Sequence, residues 1–304
     1  MRKIIIDKNY WQTRIAITLE DKLQNIYFHS PREKSLERTY FKGTITKVLP
    51  GIQTAFVDIG QERAGFLHIS EIDRELAFER LTEGDDKPKK RRGQTLDIGK
   101  ILREGEPILV QVSKEPIYEK GAKLTTCFTL PGRFIVLMPN IPRVGVSKKI
   151  EDRDERIRLK ELVSKNLPEG MGAIIRTTSE HRKEKDLAQD IHFLVETWKT
   201  INKNFKAAEP TEKIHEDLPI PSRAVRDHLD DDVSEIIINN KEEQKEIYKL
   251  VKQICPEHSH KIKLYKEYAE NRYSHALSRD VRLRPGRIDD ENSAEKEKGK
   301  DKRA

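Results

Sequence analysis

Short runs of alternating hydrophobic and polar residues dominate the first 130 positions. Residues 3–6 and 11–19 predict two strands joined by a turn, and 25–38 reads as a polar connector. Further β-type runs separated by glycine are Phe41–Leu49, Ile52–Ile59, Arg63–Ile69, Pro107–Ser113 and Ala122–Leu130. Because most of these runs have no helical pattern between them, they indicate a small barrel. A charged insertion at 71–103 interrupts it and is interpreted as a solvated loop.

Helical and mixed patterns follow the barrel. The predicted elements are a strand at 133–138, a helix at 151–166, a strand at 172–176 and a long amphipathic helix at 183–207. From Ser222, a plausible N-cap, the order is helix 223–229, strand 235–238, helix 241–255 and strand 261–265. This alternation predicts a small α/β unit. Residues 285–304 are almost entirely charged or small and are predicted to be disordered.

Composition narrows the function classes without choosing one. The 304 residues contain 59 Lys and Arg against 52 Asp and Glu, so a polyanion-binding face has to be local. No apolar run approaches the length of a membrane span, and the expected location is the cytoplasm. The two cysteines, Cys127 and Cys255, form no zinc motif. His258 and His260 are interpreted as belonging to a solvated turn.

The stretch from Gly43 to Ser70 carries the first candidate chemistry. Phe66 and His68 are two residues apart in a predicted strand and therefore share one face, and Phe56 lies on the preceding strand. Exposed rings on such a face form a platform for stacking bases of single-stranded nucleic acid. Lys47 and Lys120 are candidates for neutralising phosphates. The alternative is that both phenylalanines belong to the core.

Sequence motifs favour the exposed platform. The segments Gly43-Thr-Ile, Ala55-Phe-Val-Asp-Ile-Gly60 and Gly65-Phe-Leu-His-Ile-Ser70 are similar to those of S1-type OB folds, which are RNA-binding barrels. The resemblance implies that Phe56, Phe66, His68, Lys120 and Lys47 face single-stranded RNA.

The resemblance extends over nearly the whole chain. Segments that resemble signatures of the ribonuclease E/G family, in family order, are Leu102-Arg-Glu-Gly105, Lys120-Gly-Ala-Lys-Leu-Thr125, Val136-Leu-Met-Pro-Asn140, Leu167-Pro-Glu-Gly-Met-Gly172, Ile175-Arg-Thr177, Ala224-Val-Arg-Asp-His228, Lys261-Ile-Lys-Leu-Tyr265 and Val281-Arg-Leu283. The implied fold is α+β, with an S1-type OB-fold barrel and a 5′-sensor region inserted in a discontinuous RNase H-like α/β unit. The implied boundaries are a first RNase H-like segment at 1–38, the barrel at 39–130, the sensor region at 131–208, a second RNase H-like segment at 209–284, and the tail at 285–304.

The resemblance also implies a second RNA contact. Arg176 and Thr177 match family residues that contact a 5′-monophosphate, and an Arg fork with a Thr hydroxyl suits phosphate oxygens. The alternative is an ordinary surface arginine after a buried strand.

Catalysis in the family is Mg²⁺-dependent RNA hydrolysis by two aspartates of a later subdomain. Asp290 is a weak candidate for one of them, and no second follows, so the chain is expected to be a truncated front portion that holds no Mg²⁺ and does not cut RNA. The alternatives are a non-catalytic RNA-binding protein with a regulatory or assembly role, and a nuclease with a relocated site. Self-association stays open.

Overall fold

A computed structural model describes residues 1–30, 35–73, 76–77 and 97–265. The strands are β1 Arg2–Lys8, β2 Thr13–Leu19, β3 Lys22–His29, β4 Tyr40–Leu49, β5 Thr54–Asp58, β6 Gly65–His68, β7 Pro107–Lys114, β8 Lys123–Thr125, β9 Leu130–Pro131, β10 Ile135–Met138, β11 Val144–Val146, β12 Gly172–Ile175, β13 Lys213–His215, β14 Val233–Ile238 and β15 Ile262–Leu264. The helices are α1 Ile98–Ile101, α2 Arg153–Asn166, α3 Glu184–Ala207, α4 Ile220–His228 and α5 Lys241–Ile254.

The first sheet joins the two ends of the described chain. Its strand order is β15-β14-β1-β2-β3, in which β1 runs antiparallel to β2 and parallel to β14. The register places Ile4 beside Ile236 and Ile6 beside Ile238. These isoleucines are buried with residues of α4 and α5, including Val225. The α/β unit is therefore discontinuous in sequence, as predicted.

The second sheet is a closed barrel. Strands β4, β5, β6, β8 and β7 follow one another, and β4 also pairs with β7 to complete the ring. The short strand β13 adds to the other edge of β4. Side chains of Ile45, Val57, Leu67 and Leu124 fill the interior. At Gly43 an added Cβ would lie 2.3 Å from Val57 Cγ1, so close packing inside the barrel requires glycine there.

A third, four-stranded sheet follows the barrel in sequence. Its order is β11-β12-β10-β9, and α2 and α3 pack against it through a core that includes Leu137, Ile175, Leu159 and Leu187. The stripe predicted on the long helix is core packing, since Ile191 and its helical neighbours are buried in this cluster. Together with the barrel, this arrangement confirms the predicted α+β class.

Three local predictions were wrong. The predicted connector contains much of β3, an edge strand whose polar composition hides it because its side chains are mostly exposed. Ser222 lies inside α4, which begins at Ile220 with Pro219 at its N-cap and Pro221 in its first turn, where the missing N–H of proline is tolerated. His258 is buried at 6% exposure rather than solvated. A fourth prediction was wrong where it can be compared: the described ends of the insertion at 71–103 are not solvated, because Ile72, Ile98 and Ile101 are buried in the barrel core. The rest of the insertion, the tail at 285–304 and Asp290 lie outside the described residues.

The helices were compared with the length and hydropathy that a membrane span requires. Within the described ranges, no helix is both long enough and apolar enough to span a bilayer.

An ion pair within α2 holds the segment after β12 through that segment's backbone groups. The Glu155 carboxylate accepts hydrogen bonds from Arg158 Nε at 2.6 Å and Nη2 at 2.7 Å, and from the His181 backbone N–H at 2.8 Å. Its side chain is only 7% exposed. The Arg158 hydrogen bonds outweigh the effect of burial and lower the pKa of Glu155 to about 2.

Acid should therefore weaken this attachment. A carboxylate with a depressed pKa stabilises the fold above its ordinary pKa, and that stabilisation is lost as the pH falls toward about 2. We expect Glu155→Gln to cost about 1–3 kcal/mol at neutral pH and to flatten the loss of stability below about pH 5. Urea unfolding at a series of pH values measures both effects. The exposed Glu161→Gln on the same helix is the control, and parallel pH profiles for wild type and Glu155→Gln would contradict the prediction.

Candidate nucleic-acid interface

Alternation along the barrel strands places the predicted aromatic residues on the outside. Ala55, Val57 and Leu67 are fully buried, whereas Phe56 and Phe66 between them are half-buried. Successive side chains of a strand point to opposite faces, so the two rings lie on the outer face of β5 and β6. Neither ring belongs to the barrel core, which removes the alternative interpretation of these two residues.

The two rings lie in a row between two lysines. In the strand register Lys47 is opposite Phe56, Phe56 is opposite Phe66, and Phe66 is opposite Lys123. We call Lys47, Phe56, Phe66 and Lys123 the aromatic row. Lys47 is exposed and has no ion pair among the described residues, while Lys123 is paired with Glu71. Sequence reasoning missed Lys123, although the buried Leu124 beside it signals that Lys123 points outward.

His68 lies on the same face of β6 as Phe66 and is half-buried. Its Nδ1 accepts the backbone N–H of Ser70 at 3.2 Å and lies 2.8 Å from the Ser70 hydroxyl. It thereby caps the 3-10 turn Ile69–Glu71. The ring is held by this turn, and the other imidazole nitrogen is left to face outward.

Lys120 lies on the loop between β7 and β8. It is exposed, and its backbone N–H donates to the Ile117 carbonyl at 3.0 Å to close a tight turn. The loop returns to the barrel at Ala122, whose carbonyl accepts the Phe66 N–H at 2.9 Å. These contacts place Lys120 at the start of β6, two positions before the residue whose carbonyl binds the Phe66 N–H.

Arg176 follows β12 and is clamped by two acceptors. Its Nη1 donates to the Gly132 carbonyl at 2.7 Å and to Asp227 Oδ1 at 2.8 Å. Burial raises the pKa of the Asp227 carboxyl, but Arg226 and Arg176 outweigh it and hold that pKa below its usual range. Asp227 belongs to α4, so a residue of the first sheet's unit orients an arginine of the third. Sequence reasoning gave no signal for this contact, because the partners are 51 residues apart.

The hydroxyl of Thr177 differs in its hydrogen bonding from those of the next two residues. Thr178 Oγ1 donates to the Arg133 carbonyl at 2.7 Å and Ser179 Oγ to the Phe134 carbonyl at 2.6 Å, whereas the Thr177 hydroxyl makes no hydrogen bond within the described residues. It is half-buried beside Arg176.

Two lysines lie at the end of the third sheet where Arg176 follows β12. Strands β11 and β12 are parallel, with Val146 opposite Ile175, so the residues that follow each strand meet at the same end. The Ser147 N–H donates to the Ile175 carbonyl at 2.9 Å, which holds the two ends together. Exposed Lys148 and Lys149 thus come beside the segment of Arg176. The edge carries three cations, a combination suited to an anion.

A buried aspartate supports the backbone behind Arg176. Asp190 of α3 accepts the N–H groups of Arg133 at 3.1 Å, Phe134 at 2.8 Å and Ile135 at 3.1 Å. Burial raises the pKa of Asp190, and the three amides and Arg226 offset some of that effect. Asp190 fixes the turn whose Gly132 carbonyl accepts Arg176.

The described residues contain one group that could hold a metal ion, formed by Cys255, Glu257 and His258. The Arg133 guanidinium contacts the Cys255 thiol, and burial raises the pKa of that thiol to about 12. A thiol, an imidazole and one carboxylate are not the all-oxygen set that Mg²⁺ requires. The group therefore does not fit the magnesium of the predicted chemistry, and we interpret it as packing between the third sheet and the segment after α5.

The closed five-stranded barrel has the architecture of an OB fold, the class to which S1-type domains belong. The S1 RNA binding domain family matches residues 37–116. The ribonuclease E/G family matches residues 129–287, which is more than half of the chain, and the chain belongs to that family.

Individual relatives agree with this assignment. Ribonuclease G of Haemophilus influenzae is 37% identical over 284 residues, which cover 90% of this chain and 56% of the relative. Ribonuclease G of Escherichia coli is 32% identical over 292 residues, covering 93% and 58%. Ribonuclease E of Escherichia coli is 35% identical over 302 residues, covering 94% and 27%. The chain therefore spans little more than half the length of the ribonuclease G relatives.

Proposed function

We propose that this protein binds single-stranded RNA across the aromatic row. The observation that carries the proposal is the register Lys47–Phe56–Phe66–Lys123, which sets a pair of rings between two cations on one outer face. Rings stack on bases of any sequence, and lysines neutralise the neighbouring phosphates. His68 and Lys120 lie at the two sides of Phe66 and extend the contact.

We further propose that the edge formed by Arg176, Thr177, Lys148 and Lys149 receives a 5′-monophosphate. Asp227 and the Gly132 carbonyl hold one side of the Arg176 guanidinium, which leaves its remaining N–H groups for phosphate oxygens. The unpartnered Thr177 hydroxyl adds a donor. The protein would then recognise RNA whose 5′ end carries a single phosphate, and contribute to RNA processing and decay in the cytoplasm.

The test compares two oligonucleotides that differ only at the 5′ end. Fluorescence anisotropy of an unstructured RNA with a 5′-monophosphate or a 5′-hydroxyl group, with and without Mg²⁺, reports binding and cleavage together. We expect binding of both, about tenfold tighter for the phosphorylated RNA, and no cleavage. Equal affinities for the two RNAs would contradict recognition of the 5′ end. The protein would then bind RNA without sensing its end, which favours a regulatory or assembly role. Mg²⁺-dependent cutting would contradict the expectation that Asp290 alone builds no metal site.

Replacing Arg176 should remove the preference for the phosphorylated end. We expect Arg176→Gln to bind both oligonucleotides with the affinity that wild type shows for the 5′-hydroxyl form, a loss of about tenfold for the phosphorylated RNA alone. The exposed Arg143→Gln on the same sheet is the control. If Arg176→Gln weakens both RNAs equally, Arg176 contributes general binding instead of end recognition.

A further inference from the structure

One tyrosine of the loop that leads into β8 is held entirely in solvent. Tyr118, on the loop between β7 and β8, is 99% exposed. Its φ is 51°, in the left-handed region that bulky residues rarely adopt. The turn is closed by a backbone bridge between Ile117 and Lys120.

Glycine would adopt this backbone conformation without strain, so the presence of a tyrosine here needs an explanation. Burial is not the reason, because the ring contacts almost nothing in the free protein. Strained backbone that carries a solvent-exposed aromatic ring is typical of a ligand contact.

The loop is fixed against the start of β6. An added Cβ at Gly121 would lie 1.9 Å from the Ala64 carbonyl oxygen, and the Arg63 guanidinium donates to the Glu119 carbonyl. Ala122, which follows, accepts the Phe66 N–H. Tyr118 and Ala122 are four positions apart, a span of at most about 14 Å even when extended. The ring therefore lies within reach of RNA that leaves Phe66.

Charged side chains of both signs surround the turn that carries the ring. Lys120 and Arg63 are exposed cations at the turn. Of the two acids on the loop, Glu115 is occupied by the Ser35 hydroxyl at 2.7 Å and the Glu37 N–H at 2.8 Å, which leaves Glu119 as the exposed one. A free ring beside exposed cations is a combination that single-stranded RNA binds.

We propose that Tyr118 is a further base-stacking residue, which extends the aromatic row beyond Phe66 and lengthens the RNA footprint. Lys120 then contacts a phosphate between the base on Phe66 and the base on Tyr118. This inference rests on the proposed function of the barrel.

The experiment uses the full chain and a series of single-stranded RNAs of about 4 to 16 nucleotides. We expect Tyr118→Gly to weaken binding of the longer RNAs about five- to tenfold and to leave the shortest nearly unchanged. Because glycine relieves the backbone strain, the variant should unfold at the wild-type temperature or slightly above. Tyr118→Phe keeps the ring and should bind as wild type does. Tyr10→Gly is the matched control, since Tyr10 is 87% exposed on the first sheet.

The outcomes separate the two proposals. If wild type binds none of the RNAs, the proposed function fails and this inference with it. If wild type binds but Tyr118→Gly binds every length equally well, the inference alone is overturned. A shift in sedimentation of Tyr118→Gly without a change in RNA affinity would show a protein contact and also overturn it, as would a loss in Tyr118→Phe equal to that in Tyr118→Gly.

Discussion

Replacing both Phe56 and Phe66 by alanine is expected to weaken single-stranded RNA binding at least about 30-fold. Each base stacked on a ring contributes about 1–3 kcal/mol, and the two rings are adjacent in the register, so two successive bases lose their platform. The fold should persist, because the barrel interior is filled by the residues that alternate with them. Binding isotherms at fixed salt measure the RNA affinity, and unfolding curves measure the stability of the variant.

A matched aromatic residue provides the control. Phe28 is 44% exposed on β3 of the first sheet, away from the barrel strands. Phe28→Ala should bind RNA as wild type does. Unchanged affinity in the double variant would overturn the assignment of the RNA surface, whereas equal losses in both variants would point to a general effect of removing exposed rings.

Replacing Asp190 by asparagine should cost about 2–4 kcal/mol of unfolding free energy. Both carboxylate oxygens accept backbone N–H groups, Oδ1 from Arg133 and Oδ2 from Phe134 and Ile135. The isosteric amide has one oxygen and must turn its NH₂ toward at least one of those donors, which is then buried without a partner. No cavity is created, so the loss reports the hydrogen bonds together with the charge interaction with Arg226. Chemical denaturation measures it.

The same substitution should also reduce discrimination between the two 5′ ends, because the loosened turn carries the Gly132 carbonyl that holds Arg176. Glu196→Gln, exposed on the same helix, is the control and should stay within about 0.5 kcal/mol of wild type. A loss for Asp190→Asn no larger than that of Glu196→Gln would show that the three amides find other partners.

The shared face of the barrel rings was accessible to sequence reasoning because it depends on a local rule. Alternation along a strand separates Phe56 and Phe66 from the apolar residues beside them, but only the S1-type motifs favoured the outer face over the core. The predicted long helix is confirmed for the same reason, since its stripe of apolar residues needs only helical spacing. Family motifs then supplied the ligand class, which spacing could not.

Contacts between residues far apart in the chain could not be predicted from the sequence. Asp227 approaches Arg176 only after two units have docked, and Asp190 reaches the turn at Gly132 across 55 to 57 residues. No local pattern encodes either contact. Strand β3 was not predicted for a different reason. An exposed edge strand does not need the apolar alternation by which strands are recognised in a sequence.

The parallel pairing of β1 with β14 has a consequence during synthesis. The partner of Arg2 is Val233, so the first strand emerges from the ribosome long before its neighbour exists. At about 5–20 residues per second, the delay is on the order of 10–50 s. Throughout that interval the hairpin of β1 and β2 presents one unpaired edge and the isoleucines that later form a core. The barrel and the third sheet can fold in the meantime, so β1 is made long before its sheet can be completed.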